Sequence, residues 1–202
     1  IFHLERSIYY REQVGFEAGI AGAHNNIGTV YQLKGNFDKS IEHYLKALEI
    51  FTELEDYKNV AEVNSNLGEL YIELDEFKLA ENCFKASKEG YLQAGNPLAL
   101  GWFYNDLALL KTKIGQLDSA VIYYENAIEI WKPEDRMQEY SICLVKIAEI
   151  ELMQKDFDQA IAYLNQAEIN FKKIEYEAGL TDVYLNKGNY YRKVGKVNQA
   201  IL

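Results

Sequence analysis

Histidine and cysteine are the residue types in this chain that could bind a metal or act as nucleophiles, and both are scarce. The histidines are His3, His24 and His43, and no two of them have the His-x-x-x-His spacing that places two imidazoles on one helix face. The cysteines, Cys83 and Cys143, lie sixty residues apart and form no Cys-x-x-Cys motif. The sequence therefore predicts neither a zinc site nor any other cofactor.

Other catalytic patterns are also missing from the sequence. No glycine-rich phosphate loop follows a strand pattern. Carboxylates are abundant, but none forms an isolated pair in apolar surroundings of the kind that acid–base catalysis needs. We therefore expect a protein that is not an enzyme.

The charge balance argues against several classes of partner. The chain has 31 acidic and 21 basic residues, which gives a net charge of −10. Binding to phosphates or to anionic lipids needs clustered Lys and Arg. No apolar run approaches the eighteen or so residues that a membrane-spanning helix needs. We expect no binding to nucleic acid and no membrane contact.

The cysteines also bear on the compartment. A disulfide needs Cα atoms within about 7 Å of each other, and the sixty-residue separation of Cys83 and Cys143 makes two reduced thiols the prediction. Reduced thiols fit a cytoplasmic location, with an extracytoplasmic sensor array as the alternative. The chain starts at Ile1 without a basic-then-apolar leader, and the absence of an initiator Met indicates a fragment of a longer protein.

The elements that carry these residues follow a repeat of forty residues. The stretch 25–51 recurs along the chain without insertion or deletion, so that Phe37 aligns with Phe77 and Phe157. Two sets of equivalent positions hold small residues: Gly28, Gly68, Ala108, Ala148 and Gly188, and Ser40, Ala80, Ala120, Ala160 and Ala200. A fixed period of this length is typical of a solenoid.

Each repeat contains two amphipathic helices, A and B. Apolar residues at three- and four-residue steps predict helix A near 57–74 and helix B near 77–94 in the second repeat. The links are too short for anything but antiparallel neighbours. The small residues let helix A approach helix B of its own repeat, and helix B the next helix A. The predicted fold class is all-α, an α-solenoid of antiparallel helix pairs.

Several residues mark where the helices end. Gly35, Gly115 and Gly195 suit the left-handed conformation that closes a helix. Pro133 should end the third helix B about two residues early, with a local irregularity at 132–136.

The array is predicted to be a single domain over 1–202. Its parts are a partial helix B (1–14), repeats at about 17–56, 57–96, 97–136 and 137–176, and a partial fifth repeat (177–202). Both ends should expose apolar faces that capping repeats cover in natural arrays, so we expect end-to-end self-association.

The repeat resembles the tetratricopeptide pattern. Ile27-Gly28-x-x-Tyr31 with Ser40-x-x-x-Tyr44, and Leu67-Gly68-x-x-Tyr71 with Ala80-x-x-x-Phe84, match its L-G-x-x-Y and A-x-x-x-F signatures. The repeat is longer than the usual thirty-four residues and lacks the final Pro. It is similar in this to Pins-type adaptors, kinesin light chains and bacterial Rap regulators. The resemblance implies peptide binding in a concave groove lined by the A helices.

Counting repeat positions from this resemblance gives candidate groove residues. They are five asparagines and a set of apolar residues: Asn25, Asn26, Asn66, Asn105 and Asn186, and Trp102, Leu109, Ile142, Val145 and Leu152. Asparagine amides can pair with the backbone of an extended peptide, and an exposed Trp is typical of binding hot spots. The alternatives are that the asparagines only satisfy neighbouring helix ends or face solvent, and that Trp102 packs into the core between helices A and B.

Charge is unevenly distributed on the same face. Glu62, Glu69 and Glu73 lie in the second repeat, and Arg192 and Lys193 in the fifth, an asymmetry that would orient a ligand with basic and acidic ends. The carboxylate clamp of family members that bind chaperone tails is not reproduced. Only Asn66 and Lys146 occupy such positions, and Asp106 would repel the carboxylate.

Two functional hypotheses follow. The first is a scaffold or adaptor that binds a peptide segment of a partner protein in the groove. The second is a ligand- or peptide-responsive regulatory module of a larger signalling protein, such as a histidine kinase or a transcription regulator.

Overall fold

The computed structural model describes residues 1–133, 135–196 and 198. These residues form ten α-helices joined by short turns, with no strand among them, which confirms the all-α prediction. The helices are α1 (Phe2–Gln13), α2 (Glu17–Leu33), α3 (Phe37–Glu53), α4 (Tyr57–Glu73), α5 (Phe77–Gln93), α6 (Leu100–Lys113), α7 (Leu117–Trp131), α8 (Met137–Gln154), α9 (Phe157–Lys173) and α10 (Glu177–Lys193). Even-numbered helices are A helices and odd-numbered ones are B helices. The predicted start of another B helix at 199–202 lies outside the described residues.

The helix boundaries follow the sequence signals closely. The predicted helices at 57–74 and 77–94 are α4 and α5. Helix α7 ends at Trp131, two residues earlier in its repeat than α3 and α5, as Pro133 predicts. Glu134, inside the predicted irregularity, lies outside the described residues. A short 3₁₀ helix, Pro97–Ala99, precedes α6 because proline is favoured at the first helical position.

Every described turn uses the same backbone arrangement, and it recurs every twenty residues. The N–H at the start of each new helix donates to the carbonyl five residues earlier, as from Asn36 to Tyr31 at 2.9 Å and from Tyr176 to Phe171 at 3.0 Å. The residue just before this donor has a positive φ, which is a Schellman ending. Glycine occupies that position at Gly15, Gly35, Gly95, Gly115 and Gly195, and charged residues occupy it at Glu55, Asp75, Asp135, Lys155 and Glu175.

The described chain divides into two compact units, Ile1–Asp106 and Leu107–Leu202, and the division falls within α6. In the first unit, each of α1 to α4 packs on the next helix, and α2 also contacts α4. In the second unit, each of α7 to α9 packs on the next helix, and α8 also contacts α10. The A helices α2 and α4, and likewise α8 and α10, are therefore direct neighbours.

Small residues let helix A lie against helix B of the same repeat, as the sequence predicts. A Cβ on Gly28 would lie 2.7 Å from Tyr44 Cδ1, and one on Gly68 would lie 2.2 Å from Phe84 Cε1. Ser40 donates to the carbonyl of Gly28 at 2.8 Å, so it joins helix A of its own repeat. The prediction that the small residue at position 40 also lets helix B approach the next helix A stays a prediction.

Candidate functional site

Two of the predicted asparagines meet between neighbouring A helices. Asn66 of α4 donates from Nδ2 to Asn25 Oδ1 of α2 at 2.9 Å, and both side chains are half-buried. Asn26, one residue further along α2, is exposed. This hydrogen bond holds the side-chain amides of Asn25 and Asn66 in one orientation relative to each other.

The same offset of forty-one residues recurs in other contacts between A helices. Gln32 donates from Nε2 to Glu73 Oε1 at 2.6 Å, and Lys193 donates from Nζ to the carbonyl of Leu152 at 2.7 Å. An A helix is thus bonded to the next by residues one repeat plus one position apart. The forty-residue period alone does not show this offset.

In the second unit, Asn186 of α10 is buried, and its Nδ2 group donates two hydrogen bonds. Its Nδ2 donates to Glu149 Oε1 of α8 at 3.2 Å and to the carbonyl of Asp182 at 3.1 Å. Lys146 donates to the other oxygen of Glu149 at 3.0 Å. Asn186 therefore links the two A helices α8 and α10.

The apolar candidates differ in how far they are exposed. Trp102 of α6 is 42% exposed, which excludes the alternative that it packs into the core. Leu109 and Ile142 are half-buried. Val145 is buried and belongs to the core between α8, α9 and α10. Leu152 is also buried. These two side chains therefore pack inside the second unit and are not exposed on the A helices.

Asn105 and Asp106 of α6 lie beside a buried polar cluster of the first unit. Asn105 is half-buried and Asp106 is 3% exposed. Ser65 Oγ of α4 lies 2.8 Å from Ser87 Oγ of α5, and the hydroxyl of Ser65 also bonds to the Asp106 carboxyl. Burial, followed by the negative charge of Glu69, raises the pKa of Asp106 to about 8. The sequence gives no signal for this burial beyond the repeat position.

A histidine pair is a further contact that the sequence analysis does not predict. His24 Nδ1 of α2 lies 2.9 Å from His43 Nδ1 of α3, so one imidazole donates to the other. Burial lowers the pKa of both histidines, and for His24 the charge of His43 adds to this effect. In the described residues, no group of three or more His, Cys, Asp or Glu side chains is arranged to hold a metal ion.

The two cysteines lie in different repeats and form no disulfide with each other. Burial raises the pKa of Cys83 to about 11 and that of Cys143 to about 12, so both stay protonated at neutral pH. A thiol acts as a nucleophile only as the thiolate. Neither cysteine is therefore placed for nucleophilic catalysis.

The stacked helix pairs and the accessible A-helix positions define a class of protein: helical repeat arrays of the kind typical of protein-interaction scaffolds. The profile of one such family, the tetratricopeptide repeat, matches residues 19–93 and 100–173. The chain belongs to the tetratricopeptide repeat family, which confirms the resemblance of its repeat signatures.

Known relatives agree with this assignment. Kinesin light chain-related protein 2 of Arabidopsis thaliana is 28% identical over 148 residues, which cover 70% of this chain and 22% of that protein. BtubC (BKLC) from P. vanneervenii has a similar structure, with a TM-score of 0.81 and 18% identity over 98% of this chain and 84% of that one. A Rap protein complexed with competence and sporulation factor has a TM-score of 0.74 and 16% identity, over 98% of this chain and 52% of that one.

This chain spans less than a quarter of the length of its kinesin light chain-related relative. Within the described residues, no helix combines the length and the apolar character needed to cross a lipid bilayer.

Proposed function

We propose that the chain is a non-enzymatic interaction module that binds an extended segment of a partner protein along its A helices. The observation that carries the proposal is Trp102, a large aromatic side chain exposed on an A helix. Asn105 lies three residues later on the same face of α6 and remains half-buried. An exposed Trp beside an amide offers one apolar anchor and one hydrogen-bonding group.

The asparagine pair of the first unit supports the same proposal. A side-chain amide carries two donor hydrogens and an acceptor oxygen, and the bond from Asn66 to Asn25 uses one of the donors. Because the bond holds the two amides in place, a bound peptide would lose less conformational freedom in the protein on binding. Asn186 and Val145 are both buried. They would contribute indirectly, by holding helices α8 and α10 in place.

Variants at the two positions test the proposal with peptides selected on the wild-type chain from a random displayed library. We expect Trp102→Ala to weaken binding at least about tenfold, as for a hot-spot residue, and Asn66→Ala to weaken it less. Ile122→Ala is the matched control, because Ile122 is 56% exposed on the B helix α7. Helical circular dichroism should stay unchanged in all three variants.

Two outcomes would overturn the proposal. One is that no peptide is selected. The other is that Trp102→Ala and Asn66→Ala bind the selected peptides as tightly as the Ile122→Ala control, since the A helices would then not carry the binding.

A regulatory module is the second candidate function. The Rap structure to which this fold is similar is a complex with competence and sporulation factor, and the chain spans about half of it. In a regulatory module, a bound peptide would change the protection of helices away from its contacts. Hydrogen exchange with and without a selected peptide separates the candidates, because a scaffold changes only near Trp102 and Asn66.

The remaining expectations concern the partner and the compartment. A net charge of −10 supports a protein partner over a nucleic acid or an anionic membrane. The cytoplasmic location, which is inferred from the two reduced cysteines, stays a prediction. Fractionation of cells that express the natural protein would test it.

A further inference from the structure

The carboxyl group of Asp106 is buried in the first unit with one oxygen unpartnered. Asp106 Oδ2 has no hydrogen-bond partner among the described residues and is shielded from solvent. A buried ionised carboxylate is stable only when it is paired with a positive charge or fully hydrogen-bonded. Hydrogen bonding from Ser65 and Asn105 to this carboxyl group lowers its pKa, but Oδ2 still has no partner among the described residues.

The charged and titratable groups that act on Asp106 are acidic. Glu69 faces it from α4, and Tyr91 faces it from α5 with its hydroxyl close enough for the two groups to interact. Glu69 is itself exposed, yet surrounding protein and then the charge of Glu73 raise its pKa. On α5, the Nζ atom of Lys88 lies 5.2 Å from the ring centroid of Phe103.

The ionisable Asp, Glu, Lys and Arg side chains on the A-helix face of the first unit are all acidic. We define this face by the repeat positions 22, 25, 26, 29, 32, 33, 62, 65, 66, 69, 72, 73, 102, 105 and 106. These positions hold Glu62, Glu69, Glu73 and Asp106 and neither Lys nor Arg. Glu62 has a basic partner from outside the face, because Lys58 Nζ lies 3.5 Å from its Oε1. The other three have no Lys or Arg partner at the positions of this face. Glu73 accepts a hydrogen bond from the Gln32 amide at 2.6 Å, whereas the charge of Glu69 acts on Asp106.

We propose that Glu69 and Asp106 form the seat for one lysine or arginine side chain of the bound peptide, an inference that rests on the proposed function. Glu69, which reaches solvent, would contact the cation directly, and Asp106 would supply a second negative charge from beneath. When the cation binds, the proton of the Asp106 carboxyl group leaves to solvent, so that the seat carries two negative charges against one positive charge. Trp102, four residues before Asp106 on the same helix face, would place an aromatic ring beside the cation.

The probe is N-acetyl-arginine amide, with N-acetyl-citrulline amide as its uncharged isostere. Both are titrated into the chain while the backbone amide signals of Ser65, Glu69 and Asp106 are followed by NMR. We expect the arginine amide to shift these signals and the citrulline amide to bind at least about tenfold more weakly, since a charge-assisted hydrogen bond is lost. The carbon signal of the Asp106 carboxyl group should titrate at lower pH when the arginine amide is present.

Three variants complete the test. Glu69→Gln and Asp106→Asn should each weaken arginine-amide binding about tenfold, whereas Glu62→Gln, at a carboxylate already paired with Lys58, should not. Because Glu69 is exposed, the Gln variant should fold even if Asp106→Asn does not. The proposed cation seat would be wrong if the arginine amide and the citrulline amide shifted the NMR signals equally. It would also be wrong if Glu69→Gln bound the arginine amide as tightly as the wild type.

Failure of the seat and failure of the peptide-binding function are distinguishable. If selected peptides depend on Trp102 but show no preference for Lys or Arg, the proposed function stands and the seat is wrong. If no peptide is selected at all, the proposed function fails. An enrichment of basic residues that Glu69→Gln abolishes would support both.

Discussion

Single side chains determine how closely the two helices of a repeat approach each other, and Gly68 shows this most directly. Phe84 is fully buried against α4 at the place where a Cβ on Gly68 would stand. We expect Gly68→Ala to cost about 1–3 kcal/mol of unfolding free energy, because the aromatic ring must leave its position. Gly22→Ala is the control, since a Cβ there meets no atom within 4 Å, and it should stabilise by about 0.5–1 kcal/mol.

The fourth repeat offers a compensating change. Ala148 and Leu164 occupy the positions of Gly68 and Phe84, and both are fully buried. Adding Phe84→Leu to Gly68→Ala should therefore recover part of the loss, a favourable coupling that a double-mutant cycle in urea measures. A Gly68→Ala chain as stable as the wild type would contradict this account of the packing.

For single residues, the sequence predicts the helix face on which a side chain lies better than it predicts the residue which that side chain contacts. The repeat positions place Asn25, Asn66 and Trp102 on A helices, and the structure brings the two asparagines together. The repeat period does not reveal which residue on the next helix each one meets, because neighbouring A helices are offset by one further position. Asp106 is the strongest example: its position predicts an inner face, while its burial depends on packing within its unit.

The helix endings are the element-scale feature that the sequence shows only in part. Gly35, Gly115 and Gly195 predict left-handed endings, and the structure confirms all three with φ values of 70°, 78° and 76°. The charged residues at equivalent places adopt the same conformation without any compositional signal. What identifies them is the spacing of twenty residues, half of the repeat, because the A-to-B and B-to-A turns have one design.

Because all these helix ends share one conformation, the effect of exchanging glycine and a larger residue at the positive-φ position can be predicted. Glu175, with φ of 54°, pays a steric cost that glycine does not, so Glu175→Gly should stabilise the chain by up to about 1 kcal/mol. Gly115→Ala, the reverse exchange at φ of 78°, should destabilise it by about 1 kcal/mol. Urea midpoints of the two variants test the prediction. Changes of the same sign in both would contradict it.

For the whole molecule, stability depends on each helix burying its apolar side chains against neighbouring helices. Helix α1 buries the least. It packs on α2, and none of its residues is buried. Phe2 is 67% exposed, and Tyr9 and Tyr10 are also exposed. An apolar helix surface of this kind favours association between copies.

We therefore expect the chain to self-associate as its concentration rises, and Phe2→Glu to weaken that association. Equivalent positions supply the control: Phe2 corresponds to Glu42 in the next repeat and to Ile122 in α7, so Glu is compatible with the helix at this position. Ile122→Glu removes an exposed apolar side chain without touching α1 and should leave the association unchanged. Sedimentation equilibrium measures the average mass of each variant. A constant monomer mass for the wild type, or equal effects of the two substitutions, would show that α1 is not the associating surface.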